Sequence, residues 1–217
     1  MKWLGSHGTR SVLYVSFGSL CRVPPKQMIE LGLGLEDSGH PFIWVVRKGK
    51  FSSQVEDWIR EERFEERVGG RGLILRGWAP QKELLSHPSV GGFMTHCGWN
   101  STLEGIVAGL PLLTWPMFAE QFFNEKLVVQ VLNIGVRIGV EKCVPWQEEM
   151  EGEAIVSRES IKTAVGKLMD EDDEGKERRR RAEELAEKAK ISFSSGSSNA
   201  NLTSLIHQVM ELARRRR

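Results

Sequence analysis

VGGFMTHCGWNSTLEGIVAGLPLLTW, residues 90–115, is the stretch on which the fold turns. Val90–Thr95 is a short apolar run bounded by small residues and reads as a buried strand. Ser101–Ala108 takes a helical pattern and stops at Gly109, the usual residue just past a helix C-terminus. Leu112–Trp115 is a second apolar strand. Strand, helix and strand at this spacing form a crossover unit, and such units demand parallel neighbours joined in the right-handed sense.

The same alternation extends in both directions. Upstream lie a strand at Ser11–Phe17, a helix at Lys26–Ser38 opened by Pro24-Pro25 and closed by Gly39, and a strand at Phe42–Val46. A loop at Lys48–Glu56, a charged helix at Trp58–Arg67, a strand at Leu73–Leu75 and a short helix at Pro80–Ser86 follow. Downstream, Gln121–Leu132 reads as a helix and Gly135–Gly139 as the sixth strand. The expected fold is α/β: a Rossmann-like, doubly wound parallel sheet of about six strands with helices on both faces. Beyond it the chain changes character. Pro145–Ile155 is an acidic, loop-like insert, and Ser157–Met169, Glu174–Ile191 and Asn201–Ala213 read as helices, the last two separated by a loop at Ser194–Ser198. Arg178–Arg181 sits among glutamates, as a solvated helix face with i,i+4 pairs would. Arg214–Arg217 reads as a frayed tail.

Composition narrows the classes. At ~150 residues per domain, 217 residues make one large domain or one and a half small ones. Hydrophobic residues are 40% and charged residues 27%, enough for a packed core and against a disordered chain. Thirty basic and 29 acidic residues leave a net charge of +1, without the basic excess expected of a nucleic-acid binder. No apolar run is long enough for a membrane span, and the opening residues 1–6 carry no apolar core of a secretory signal. Cys21, Cys97 and Cys143 are odd in number and far apart, so neither a zinc ribbon nor a disulfide framework is expected; reduced thiols in a cytoplasmic protein are.

In doubly wound sheets ligands bind beyond the carboxyl ends of the strands, so the strand-to-helix turns carry the functional reading. Phe17-Gly18-Ser19 is small enough for backbone amides to approach an anion. A dinucleotide fingerprint is missing: Gly32-Leu33-Gly34 lies inside a helix and lacks the third glycine. His96 through Ser101 opens a helix, whose free N–H groups and positive dipole end suit a diphosphate. Ser101-Thr102-Leu103-Glu104 also fits a capping box, which stabilises a helix with no ligand at all. A histidine such as His96, taken alone, is more often a hydrogen-bonded structural residue than a ligand, and Cys97, with no base nearby in sequence, reads as a buried inert thiol. At Arg76–Gln81, Trp78 held by a following proline either stacks on a base or caps the edge of the core. At Trp115–Gln121, Glu120 either holds sugar hydroxyls with Gln121 or complements the dipole of the next helix. Taken together, the four turns offer a stacking ring, an anion nest, a diol acceptor and a polyol binder, the set a nucleotide sugar needs.

Trp78 through Gln121 resembles the signature box of the plant UDP-sugar-dependent (family 1) small-molecule glycosyltransferases: Trp-Ala-Pro-Gln at its start, His-Cys-Gly-Trp-Asn-Ser in the middle and Glu-Gln at its close. Tyr14–Leu20, Phe42–Arg47 and Asn124-Glu125-Lys126 extend the likeness, which is to the branch glucosylating flavonoids, terpenoids and plant hormones. The resemblance implies that Trp78 stacks on uracil, helped by Ala79 and Gln81, and that Glu104 accepts the ribose hydroxyls. It implies that Ser19, His96, Asn100 and Ser101 hold the diphosphate, while Trp99, Glu120 and Gln121 bind the sugar, Gln121 favouring glucose. Neither metal nor other cofactor is implied.

The same resemblance implies the C-terminal half of a two-domain GT-B fold. Catalytic base and acceptor pocket are then expected in a missing N-terminal domain, with no catalytic residue in this chain and little or no transfer by it alone. Residues 1–10 are read as a remnant of the interdomain linker, 11–200 as the UDP-sugar-binding domain and 201–217 as a C-terminal helix with a basic tail. That helix is expected to pack on the N-terminal domain, and the exposed cleft face is a candidate for self-association. The rival expectation is an autonomous nucleotide-sugar-binding module without transferase activity.

Overall fold

The computed structural model describes residues 2–47, 52–141, 143 and 156–215. Its strands are β1 (Val12–Ser16), β2 (Phe42–Val46), β3 (Gly72–Arg76), β4 (Val90–Thr95), β5 (Leu112–Thr114) and β6 (Gly135–Arg137). All pair in parallel, in the order β3-β2-β1-β4-β5-β6. The chain walks outward from β1 to β3 and then returns to lay β4 beside β1. The turns leaving β1 and β4 therefore diverge from adjacent strand ends, where such a sheet opens a crevice.

The helices are α1 (Lys2–Gly5), α2 (Pro25–Ser38), α3 (Ser52–Glu61), α4 (Phe64–Val68), α5 (Gln81–Leu85), α6 (Trp99–Val107), α7 (Gln121–Lys126), α8 (Arg158–Met169), α9 (Asp173–Ser194) and α10 (Ser197–Arg215). They cover both faces of the sheet, which is why β1, β2, β4 and β5 are buried at every position rather than alternately. One face packs Leu13, Val15, Trp44 and Met94 against α2, α3, α4 and α8; the other packs Tyr14, Ile43, Phe93 and Leu112 against α1, α5 and α9. Gly32-Leu33-Gly34 serves this packing. A Cβ at Gly34 would stand 2.6 Å from Ile161 Cβ, and one at Gly32 would stand 2.9 Å from the Trp58 ring, so the glycines let α2 approach α8 and α3 closely.

Several local expectations need correction. The loop expected at Lys48–Glu56 gives way by Ser52 to α3, because Val55 and Ile59, one turn apart, both bury. The helix expected at Trp58–Arg67 breaks at Arg63, which takes a left-handed φ of 50° and starts α4. The helix expected over Gln121–Leu132 ends as a π-helical turn at Leu127–Val131. The break between α9 and α10 is shorter than the expected loop at Ser194–Ser198. Within the arginine run, Arg180 and Arg181 pair with Glu177 in solvent as expected. Arg178 instead is buried and donates to the Lys167 carbonyl at 3.0 Å and to Glu174 at 2.7 Å, tying α9 to the end of α8.

At the N-terminus, residues set apart as linker dock onto the domain: Leu4 is 1% exposed, Trp3 Nε1 donates to the Gly70 carbonyl and Ser89 Oγ to that of Leu4. At the other end α10 buries no side chain, and Leu202, Leu205, Ile206, Val209, Met210 and Leu212 are each exposed by half or more. The acidic insert at Pro145–Ile155, Lys48–Phe51 and Arg216–Arg217 lie outside the described residues. Among the described residues no helix is long and apolar enough to cross a membrane.

Candidate functional site

The turn after β4 decides between a capped helix and an anion site. The helix starts at Trp99, two residues earlier than its sequence suggested, with Gly98 at the N-cap and no side-chain cap. Ser101 and Glu104 are thus inside the helix, and the expected capping box does not form. The first intrahelical bond runs from Thr102 N to the Gly98 carbonyl, so the N–H groups of Trp99, Asn100 and Ser101 have no partner among the described residues. Chain direction into this bare end depends on Cys97, which adopts φ 63°.

His96 closes the back of the turn. Its ring lies against two glycines: a Cβ at Gly18 would stand 2.5 Å from His96 Cε1 and one at Gly98 2.4 Å from Nε2. Gly18 also has φ +68°, a conformation glycine takes without strain. Ser19 follows, exposed, in the turn leaving β1, whose Gly18 carbonyl accepts from Arg47 at 3.0 Å. The structural alternative for His96 required a hydrogen bond, but its Nδ1 is buried with none. Burial pushes the imidazole down to about 4, outweighing the opposite pull of the Glu120 carboxylate, so the ring is neutral at pH 7. Cys97 is fully buried, its Sγ 3.7 Å from the Thr95 carbonyl, and burial raises the thiol far above its ordinary value. An inert thiol was the expectation, and this geometry fits it.

Trp78 does not cap the core. It is 84% exposed, while the next residue, Ala79, is buried. Gly77 (φ +92°) anchors the turn through its N–H to the Val46 carbonyl at 2.8 Å, and Pro80 leads into α5. Gln81 then gathers groups far apart in sequence. Its Nε2 donates to Glu104 Oε2 at 2.6 Å and to Ser101 Oγ at 3.2 Å, and its Oε1 accepts from Tyr14 Oη at 3.4 Å. The structure thereby joins Gln81, Ser101 and Glu104, leaving the other carboxylate oxygen of Glu104 outside this bond.

The sugar-assigned residues divide. Trp99 and Asn100 are exposed at the start of α6, and Glu120 is exposed at the start of α7. Gln121 is turned inward instead: it is 3% exposed, and its Oε1 accepts from Met117 N at 2.8 Å and Phe118 N at 3.2 Å. Its Nε2 donates to Cys21 Sγ at 3.9 Å, which leaves the second N–H of that amide outside these bonds. Three supporting residues were quoted only as part of the likeness and given no role. Arg47 ties β2 to the Gly18 turn, Asn124 Nδ2 donates to the Cys97 carbonyl at 2.8 Å, and Glu125 is buried between Thr114 and Arg137. Asn124 and Glu125 follow Gln121 at i+3 and i+4; that spacing of polar residues on a helix entering a core was the available signal.

Bare helix N–H groups, an exposed indole and a carboxylate–carboxamide pair follow strands at one end of a parallel sheet, the end at which α/β domains take their ligands. The chain belongs to the family described as UDP-glucoronosyl and UDP-glucosyl transferase, whose model matches residues 1–167. UDP-glycosyltransferase 73C25 of Barbarea vulgaris is 58% identical over 98% of the chain, and the chain spans 43% of that relative's length. Glycyrrhiza uralensis UGT73P12, solved with glycyrrhetinic acid 3-O-monoglucuronide, superposes with a TM-score of 0.90 at 46% identity, over 99% of this chain and 44% of that one. Phytolacca americana UGT2, solved with UDP-2fluoro-glucose and pterostilbene, gives 0.77 at 41% identity over 94% and 42%. The fold is accordingly the Rossmann-like half of a GT-B architecture. Among the described residues no group of three or more His, Cys, Asp or Glu is placed to hold a metal ion.

Proposed function

We propose that this chain is the donor-binding domain of an inverting glycosyltransferase that takes UDP-glucose and transfers glucose to a hydroxyl of a plant secondary metabolite. The observation that carries the reading is the uncapped start of α6, at the same end of the parallel sheet as the exposed Trp78 and the Gly18–Ser19 turn. Trp78 stacks on uracil beside Ala79. Gln81 orients Glu104 toward the ribose hydroxyls. Ser19, His96, Asn100, Ser101 and the free amides of α6 take the diphosphate. These are N–H, hydroxyl and imidazole donors, which meet an anion directly and need no bridging metal. Trp99 and Glu120 face the hexose, and the buried Gln121 is left the second N–H of its Nε2 for the sugar. UGT2 is described with UDP-2fluoro-glucose, which supports the donor class.

A general base and an acceptor pocket lie, in this reading, outside these 217 residues, in the length that the relatives have and this chain does not cover. Base and donor must be held together, since positioning supplies ~7–11 kcal/mol of such a barrier. The chain alone then binds donor with little or no turnover, in the cytoplasm, and the apolar stripe of α10 packs on that other half. The test is titration with UDP-glucose, UDP-galactose and UDP-glucuronic acid, beside a transfer assay with and without the N-terminal half of a relative. UDP-glucose is expected to bind tightest, by roughly tenfold for one or two hydrogen bonds, and turnover to require the added half. Equal affinity for the three sugars defeats the glucose assignment. Turnover by the chain alone defeats the placement of the base, and binding without turnover even with the added half favours the autonomous module.

A further inference from the structure

The inward side of α7 carries three polar residues whose bonds run to three different places. Gln121 reaches back to the amides of Met117 and Phe118, in the loop leading to its own helix. Glu125 accepts from Thr114 Oγ1 at 2.7 Å and from Arg137 Nε at 2.8 Å, fastening the helix to β5 and to β6. Asn124, between them, leaves its own neighbourhood: its Nδ2 crosses to the Cys97 carbonyl at 2.8 Å, with both residues buried. That carbonyl belongs to the one residue between β4 and α6 whose backbone is left-handed (φ 63°), a conformation that any residue with a Cβ resists. The turn into α6 is therefore held against its own preference at the point where it sets the direction of the free amides of Trp99, Asn100 and Ser101.

We propose that Asn124 is a positioning residue for donor binding. It holds the left-handed Cys97 turn, and with it the diphosphate-binding amides of α6, in fixed relation to Glu120 at the start of α7. Diphosphate and sugar are then gripped by one rigid piece. The inference rests on the UDP-sugar reading of the site. It also separates the two ends of the donor, because the uridine end is built from Trp78 and the Gln81–Glu104 pair on α5 and α6, and none of those bonds passes through Asn124.

The test titrates UDP and uridine against the unsubstituted chain, Asn124→Leu, and Asn124→Leu combined with Cys97→Gly. Leucine keeps the volume and removes the donor, while glycine adopts a positive φ without strain. Asn124→Leu is expected to weaken UDP roughly tenfold or more, for one buried bond and a relaxed turn, and to leave uridine within about twofold. Adding Cys97→Gly is expected to restore most of the UDP affinity, which a merely structural loss would not allow. Equal losses for UDP and uridine, or no restoration by glycine, overturn the proposal. Should Asn124→Leu fail to fold, the double variant decides: folded and binding UDP, it supports the proposal; folded without UDP binding, or unfolded as well, it overturns it. Absence of UDP binding in the unsubstituted chain is a different result, and it overturns the reading of the site itself.

Discussion

The β4–α6 turn and α10 both present apolar or uncapped groups to solvent, and they do so in opposite ways. Behind the turn stand packed or bonded supports: His96 against Gly18 and Gly98, Asn124 on the Cys97 carbonyl, and the half-buried Gln81 bridging Ser101 and Glu104. Behind the apolar stripe of α10 no side chain of its own helix is buried. Exposure with rigid support is how a protein prepares a site for a small ligand, because the ordering cost is met before binding. Exposure of a whole helix stripe without it leaves apolar surface in water with nothing prepared behind it.

That contrast can be broken by substitution. The largest effect is expected where support is densest. Arg137→Leu leaves the Glu125 carboxylate, 3% exposed, with Thr114 but without its cation, and is expected to cost about 3 kcal/mol in urea unfolding. A loss under about 1 kcal/mol would mean that α7 is not anchored as described.

A pH series tests the back of the turn. The imidazole of His96 sits at about 4 in the folded chain and near 6.5 when unfolded. As pH falls the unfolded chain takes up this proton first. The stabilisation is complete above pH 6.5 and is lost between 6.5 and 4, amounting to about 3 kcal/mol. Thermal unfolding of the native chain is expected to fall more steeply over that window than that of His96→Gln; parallel curves would remove the burial argument. The smallest effect belongs to α10. Leu205→Ser with Ile206→Ser is expected to change stability by less than about 0.5 kcal/mol, because neither side chain is buried. A loss several times larger would show that the stripe already packs within this chain.

Much of the fold was legible from residues 90–115, because strands buried on both faces read as unbroken apolar runs between turn residues. The failures have a common cause. Arg178 looked like its solvated neighbours, and only the approach of α9 to the end of α8 turns it inward. The capping box at Ser101–Glu104 matched a local pattern, but Cys97 turning left-handed starts the helix two residues sooner. At the site, residue types were readable and their partners were not. That the Gln121 carbonyl accepts from its own loop could not be read from spacing; Asn124 was quoted and passed over. Hydrogen bonds between elements are set by tertiary approach, which spacing along the chain does not encode.

The central claim is that Trp78 and the bare start of α6 together form a uridine-diphosphate site. Isothermal titration of the chain with UDP and ADP, repeated on Trp78→Ala, tests it most directly. The account predicts UDP binding that ADP cannot match and that Trp78→Ala weakens by ~1–3 kcal/mol, the worth of a stacked base, with the melting temperature unchanged because the indole is 84% exposed. Equal affinity for UDP and ADP, or a folded chain that binds neither, would contradict it.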